Sequence, residues 1–292
     1  MNSVVTAAAM ARVAVPRWII GGLTFVAMVL ILMAWGLMLL PGILLRCLPV
    51  YRWQRQGSRY CVWLACKWVL ANRRIYRLLH GNDWEVRIEG ELHPEHSYLL
   101  VANHQSWADI LVLFDALHER TPFARFFMKQ ELKYVPIIGA VCWAMDMPFM
   151  TRRSSQTDIR TIRETCEVYR EVPVTIVNFL EGTRSTPAKR LAAGSPYRHL
   201  MPPKTGGLCY TLNAMGDQLA GIIDVTLVYE QTDRPLAWSW LCGEQRNLVV
   251  SMRLLPMPEA LMTSSGESQR RAAKQWLQAL WLEKDARLEA RD

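Results

Sequence analysis

The first 82 residues contain no aspartate and no glutamate; the first acid in the chain is Asp83. Ten cations precede it, Arg12, Arg17 and eight more from Arg46 to Arg77. Of the 34 basic residues, 24 therefore fall in 83–292 against all 26 acids, a local net of −2, so the overall +8 sits entirely at the N-terminal end. A uniformly basic nucleic-acid binder does not look like this, and no nucleic-acid partner is expected. Paired-cysteine motifs are also missing. The seven cysteines (47, 61, 66, 142, 166, 209, 242) are odd in number and scattered, with no CxxC. That argues against a disulfide framework or a structural zinc and fits a reducing compartment, with most of them serving as small core residues. The six histidines lack ligand spacing, so neither a metal nor another resident cofactor is expected. Internal repeats and low-complexity tracts are absent.

What the sequence does have is a long uncharged run. Trp18 to Leu45 spans 28 residues without a charge. As a helix it would reach roughly 42 Å at ~1.5 Å per residue, more than the ~30 Å hydrocarbon core of a bilayer. It is too long for a signal-peptide core, and no small-residue cleavage site follows. Pro41-Gly42 is expected to break this helix near its end, which leaves a single crossing and a hairpin on one leaflet as alternatives. The cations that follow put the body of the protein on the cytoplasmic side in both cases.

Residues 51–79 set Trp, Tyr and Leu among Arg and Lys at helical spacing. Such a helix either lies in the membrane interface, its cations on anionic headgroups at ~1 kcal/mol each, or packs as an ordinary amphipathic helix on the protein body. The 12 tryptophans favour a chain that touches a bilayer. Three regions are thus expected: an anchor over 1–45, a basic helix over 46–80 and a folded body over 81–292.

Beyond Asp83 short β-type runs alternate with helical stretches. Strands are expected at Trp84–Glu89, Tyr98–Ala102, Thr175–Phe179, Ile222–Tyr229 and Leu248–Leu254, with a short one near Phe126–Met128. Helices are expected at Trp107–His118, Thr157–Tyr169, Gly207–Met215 and Ser268–Arg287. The alternation predicts an α/β fold, a mixed and largely parallel sheet flanked by helices. Thr186–Pro203, rich in proline and cations, reads as one long irregular loop beside a motif.

Two short motifs carry chemistry. In Asn103-His104-Gln105-Ser106-Trp107-Ala108-Asp109, the His follows the apolar strand YLLVA and the Asp falls in the next helix. Five residues apart on one helix the side chains would point ~140° apart, so the His must sit in the strand-to-helix turn to meet the Asp. There the carboxylate would fix the imidazole and leave its other nitrogen free to take a proton. With six His and ten Asp, a chance HxxxxD is common, and the strand–turn–helix context is what gives this one weight. The second motif, Phe179-Leu180-Glu181-Gly182-Thr183-Arg184, follows the β-rich TIVNF. Its Gly allows close backbone approach and its Arg can pair with phosphate, although EGTR alone would be an unremarkable turn.

Together, and in this order, the two motifs resemble the NHxxxxD and FPEGTR blocks of the glycerolipid acyltransferase family, best known for 1-acyl-glycerol-3-phosphate acyltransferases. Within it the likeness is to a bacterial inner-membrane branch, the YihG-like proteins. The resemblance implies an arginine block, matched by Met147-Pro148-Phe149-Met150-Thr151-Arg152-Arg153, and a Lys-Gly block, matched by Pro203-Lys204-Thr205-Gly206-Gly207. Leu180 departs from the family's proline, and Ile222-Ile223-Asp224-Val225 lacks another.

The implied reaction moves an acyl group from acyl-CoA or acyl carrier protein, as co-substrate, to the hydroxyl of a lysophospholipid such as lysophosphatidic acid, on a membrane with anionic headgroups. His104 would be the base and Asp109 its partner. Arg152, Glu181, Gly182, Thr183, Arg184 and Lys204 would form the acceptor site, with Glu181 orienting Arg184 or a glycerol hydroxyl. The alternatives are a different lysolipid acceptor, metal-assisted hydrolysis, a membrane-tethered binding protein and a catalytically dead scaffold.

Overall fold

In the computed structural model, which describes residues 15–81, 84–151 and 155–290, a six-stranded sheet organises the body. Its strands are β1 (Glu85–Glu89), β2 (Ser97–Ala102), β3 (Ala124–Phe126), β6 (Thr175–Phe179), β7 (Leu219–Val228) and β8 (Val249–Leu255), in the order β1-β8-β7-β2-β6-β3. Only the β7–β8 pair is antiparallel. This is the mixed, largely parallel α/β sheet that the alternation predicts. The expected strand near Phe126–Met128 divides in two. The chain leaves the main sheet after Phe126, and β4 (Met128–Lys129) pairs instead with β5 (Phe149–Met150).

The middle strand β2 is buried on both faces, and its period-two alternation divides the core. Tyr98, Leu100 and Ala102 join Val112 and Leu113 of α4 (Ala108–Leu117), Leu64 and Tyr76 of α3 (Tyr51–His80) and Trp240 of α9 (Leu236–Leu241). Leu99 and Val101 join Ile162 of α6 (Ser155–Tyr169), Leu208 of α8 (Gly206–Met215) and Leu277 and Trp281 of α11 (Gly266–Glu289). Helices therefore cover both faces. Three short helices fall outside the expected set, α5 (Ile138–Ala144), α9 and α10 (Glu259–Met262), because none carries a full amphipathic period. The stretch read as irregular, Thr186–Pro203, holds α7 (Pro187–Ala192). Thr186 caps it by accepting from the Lys189 N–H, with Pro187 in its first turn, a start signal legible in the sequence.

The uncharged run is helical from Arg17 to Cys47, with mean hydropathy 2.5 and 11% burial in its most apolar stretch. Pro41 does not end it. α1 (Arg17–Met38) passes into α2 (Leu40–Cys47) with the proline in the first turn of α2, where its missing N–H costs nothing. The chain reverses only at residues 48–50, and α3 returns antiparallel along both helices. Trp35 donates to the Leu64 carbonyl, Tyr60 to that of Met38, and Thr24 meets His80. Gly42 and Gly57 let the helices cross closely, since a Cβ on Gly57 would lie 2.6 Å from the Gly42 oxygen.

Of the two readings offered for 51–79, packing on the protein body is seen for one face of α3. Its inner face packs on the body through Cys61, Leu64, Val69 and Tyr76, while Arg52, Arg55, Arg59, Lys67, Arg74 and Arg77 with Trp53 and Trp63 lie exposed. Two of the eight cations from Arg46 to Arg77 are committed inward. Arg46 bonds the Ala144 carbonyl and Asp146, and Arg73 pairs with Asp115.

Candidate active site

Both motifs leave the sheet at the carboxyl ends of neighbouring parallel strands, β2 and β6, the usual place for a site in such a sheet. The turn after β2 begins with Asn103, fully buried, whose side-chain amide bonds both the N–H and the carbonyl of Leu227. It extends the β2–β7 ladder by one step after the strand has ended, and so fixes where the next residue emerges. That residue is His104. Its Nδ1 donates to Asp109 Oδ2 at 2.8 Å, and its ring stacks on Phe179 at 4.0 Å and 16°. Nε2 has no partner among the described residues.

Asp109, in the first turn of α4 and wholly buried, does more than meet the imidazole. Oδ2 also accepts the backbone N–H groups of Gln105 (2.6 Å) and Ser106 (2.9 Å), and Oδ1 accepts the Tyr229 hydroxyl at 2.7 Å. Four donors thus surround an ionised carboxylate. Burial, and then the Asp109 charge, push the Tyr229 phenol well above its ordinary value, so it stays a donor. Sequence spacing could not reveal Tyr229, which directly follows the last residue of β7.

The second motif locks onto the first. Glu181 is 0% exposed; Oε1 accepts the His104 N–H at 3.1 Å and Oε2 the Met201 N–H at 3.3 Å. The His104 carbonyl in turn accepts from the Ser185 N–H at 2.7 Å. This corrects the expectation that Glu181 orients Arg184 or a glycerol hydroxyl. It turns inward and carries the backbone of the histidine turn. Burial pushes its carboxyl up to about 8, against the two N–H donors and Lys284, which favour the ionised form.

Gly182 has φ +68, a region L side chains avoid, and the Lys204 ammonium lies over it, 3.0 Å from where a Cβ would be. Thr183 Oγ1 accepts from Lys189 at 2.9 Å, and Lys189 also holds the Arg184 carbonyl. Arg184 itself is exposed, with no side-chain bond or ion pair among the described residues. His104, Asp109, Glu181, Gly182, Thr183, Arg184 and Lys204 are therefore gathered around one sheet end, while Arg152 lies outside the described residues. The arrangement offers a carboxylate-fixed imidazole beside two cations, Arg184 on the glycine turn and Lys204 over it, without an ion-pair partner among the described residues. That suits proton removal from a hydroxyl on an anionic molecule.

Residues 84–230 match the family profile described as Acyltransferase. The chain belongs to the acyltransferase family. Among relatives, it is 30% identical over 222 residues to "1-acyl-sn-glycerol-3-phosphate acyltransferase delta" of Bos taurus, covering 70% of this chain and 57% of the relative. It is also 30% identical over 210 residues to "1-acyl-sn-glycerol-3-phosphate acyltransferase 3" of Arabidopsis thaliana, covering 67% and 53%. The chain thus spans a little over half the length of these relatives. Its fold is shared with the crystal structure of the 1-acyl-sn-glycerophosphate (LPA) acyltransferase PlsC from Thermotoga maritima, at TM-score 0.54 and 17% identity, covering 92% of this chain and 98% of that one.

Proposed function

We propose that this acyltransferase moves a fatty acyl group from acyl-CoA or acyl carrier protein to the free hydroxyl of lysophosphatidic acid or a close lysolipid, at a membrane surface. The observation that carries this reading is the 2.8 Å His104–Asp109 bond held against a glycine turn whose Arg184 has no partner among the described residues. Nε2 of His104 takes the hydroxyl proton as the oxygen attacks the thioester carbonyl. The new C–O bond forms, the C–S bond breaks, and the proton passes from the imidazolium to the departing sulfur. Asp109 stabilises the imidazolium in between. A thioester is already activated, so no covalent enzyme intermediate is needed. Arg184 and Lys204 grip the acceptor phosphate, with Arg152 as a further cation implied by the family pattern.

The membrane part rests on the apolar run Arg17–Cys47, which leaves most of its surface uncovered, and on the cationic outer face of α3 beside it. We assign the protein to a bacterial inner membrane with its body in the cytoplasm. The test of the whole reading uses the full chain in vesicles, one labelled acyl donor and a panel of lysolipids. Mass spectrometry should find phosphatidic acid, and the protein should float with the vesicles. No acylated product from any lysolipid refutes the chemistry, and protein left in the bottom fraction refutes the membrane assignment.

Arg184 gives a separate expectation. Because its guanidinium is exposed and has no partner among the described residues, Arg184→Ala should leave the fold intact and raise the acceptor KM about ten-fold or more, with little change in the donor KM. Charge-assisted bonds to one anionic group are worth ~1.5–3 kcal/mol. Lysine should rescue only in part, since the two-pronged geometry is lost. Equal rises in both KM values would mean that Arg184 serves the donor or the fold.

A further inference from the structure

A second uncharged stretch lies far along the chain from the first. From Tyr134 to Met145 there are 12 residues without a charge, between Lys133 and Asp146. They belong to an excursion from the main sheet. The chain leaves after β3, and the β4–β5 pair closes the excursion at its base. Inside it a short 3-10 turn (Gln130–Tyr134) runs into a tight tip and then into α5. Tyr134 is 76% exposed, and Val135, Pro136 and Trp143 are exposed with it. A cluster of exposed apolar residues of this kind marks a contact with protein or membrane.

The tip has one defined shape. Ile137 has φ +67 and ψ −55, and across it the Ile138 N–H donates to the Pro136 carbonyl at 2.7 Å, the rare and strained form of three-residue turn. A β-branched residue stays there only where its surroundings hold it. Here α1 does so. A Cβ on Gly36 would lie 2.7 Å from Ile137 Cγ2, so the isoleucine is seated in the notch that this glycine leaves. At the other end of α5, Arg46 of α2 lies over the Trp143 ring at 4.8 Å and bonds the Ala144 carbonyl. The excursion is fastened at two points to the long apolar run.

Helical spacing decides what borders the notch. Met33 and Leu40, three residues before and four after Gly36, share its face, Leu37 lies beside them, and all three are exposed. The tip therefore extends the uncovered apolar surface of α1 and α2 and does not hide it. That surface has mean hydropathy 2.5 and the length of a membrane crossing, and its continuity with the tip identifies lipid as the common occupant. At the rim stand the exposed Lys133 and the Tyr134 ring, side chains suited to the headgroup level. The base of the excursion adjoins the site. Phe126, the last residue of β3, stacks with Phe179 at 5.9 Å, and Phe179 stacks on His104.

We propose that residues 134–137 are a second membrane-inserted element, an apolar tip that enters the bilayer beside α1 and α2 and holds the histidine end of the sheet at the lipid surface. This insertion depends on the membrane reading above and deepens it by naming a further segment and its partner, the acyl region of a bilayer.

The test puts a nitroxide on the full chain bound to vesicles of phosphatidylcholine and phosphatidylglycerol. Tyr134→Cys carries the label in a background of Cys47→Ser and Cys66→Ser, the two cysteines that are not buried. Oxygen collects among acyl chains and a nickel chelate stays in water. At position 134 oxygen should relax the label more than the chelate does, as it should for Leu30→Cys on α1. Leu282→Cys, exposed on α11 across the sheet, should show the reverse. A lipid signal at position 30 with an aqueous one at 134 overturns the insertion and leaves the membrane reading standing. Aqueous signals at both positions refute the two together. A label at 134 shielded from both reagents means that protein covers the tip, and this also overturns the insertion.

Turnover gives a second measurement. Tyr134→Asp with Val135→Asp touches no group of the site, and α1 should still carry the protein to vesicles. With two charges at the tip, acylation of a long-chain lysolipid embedded in vesicles should fall about ten-fold, while a short-chain acceptor dissolved in water should react at the wild-type rate. An unchanged rate on the embedded acceptor, or equal losses on both, overturns the docking role. If the wild type acylates neither acceptor, the chemistry fails while the nitroxide still decides whether the tip enters lipid.

Discussion

Replacing His104 by alanine is expected to lower acyl transfer by ~10²-fold or more, the usual scale for a general base, while the protein still folds. The structure gives a specific reason for the second half. The turn is held by backbone groups: the His104 N–H on Glu181, the His104 carbonyl on Ser185, and the Asn103 amide on Leu227. None of these needs the imidazole. Asp109 loses one of four donors and keeps Gln105, Ser106 and Tyr229. The ring's stacking on Phe179 is lost, a cost of about 0.5–1.5 kcal/mol that a folded domain tolerates. The measurement is kcat with an acyl-CoA donor alongside a melting curve for each variant. Free imidazole added to the alanine variant should restore part of the rate, since the space left opens on the reacting side. Turnover near the wild-type value would remove His104 from the mechanism.

Much of this site is legible in the sequence because the relevant couplings are short. YLLVA alternates to two faces and reads as a buried strand; HxxxxD spans one strand-to-helix turn; Glu181 to Arg184 spans another. What the sequence hides are contacts set by the sheet. Tyr229 meets Asp109 across 120 positions, and Lys284 meets Asp224 across 60, because β7 lies beside β2 and α11 packs over it. The role of Glu181 is hidden for the same reason. As a residue type beside Arg it suggests an ion pair, whereas its zero exposure and two backbone donors make it a bracket for the other motif. On α3, periodicity shows an amphipathic helix but not what each face meets. The antiparallel return along α1 and α2 commits Arg46 and Arg73 inward and leaves the remaining cations outside.

Asp109 should separate a catalytic loss from a structural one, depending on which residue replaces it. In Asp109→Asn the amide oxygen can take the Oδ2 position and keep the His104, Gln105 and Ser106 donors. The amide nitrogen then faces the Tyr229 hydroxyl, which can turn to accept. Geometry and tautomer survive, and what disappears is the charge that stabilises the imidazolium. The expected result is a rate loss of ~10-fold to ~10²-fold, smaller than for His104→Ala, with a melting temperature close to wild type. In Asp109→Ala, by contrast, the backbone N–H groups of Gln105 and Ser106 and the Tyr229 phenol lose an acceptor that is itself 0% exposed. Each unsatisfied group costs ~1–3 kcal/mol, so even with partial relaxation a loss of about 3 kcal/mol is expected, a fall of roughly 10 °C in melting temperature, together with loss of activity. Tyr229→Phe provides the control. It removes one donor to the carboxylate, should lower the rate several-fold, and should have a much smaller effect when added to Asp109→Asn, because both changes act on the same charge. Equal stability losses for the asparagine and alanine variants would show that charge, not acceptor count, holds the turn. Additive rate losses for Asp109→Asn and Tyr229→Phe would remove Tyr229 from the relay.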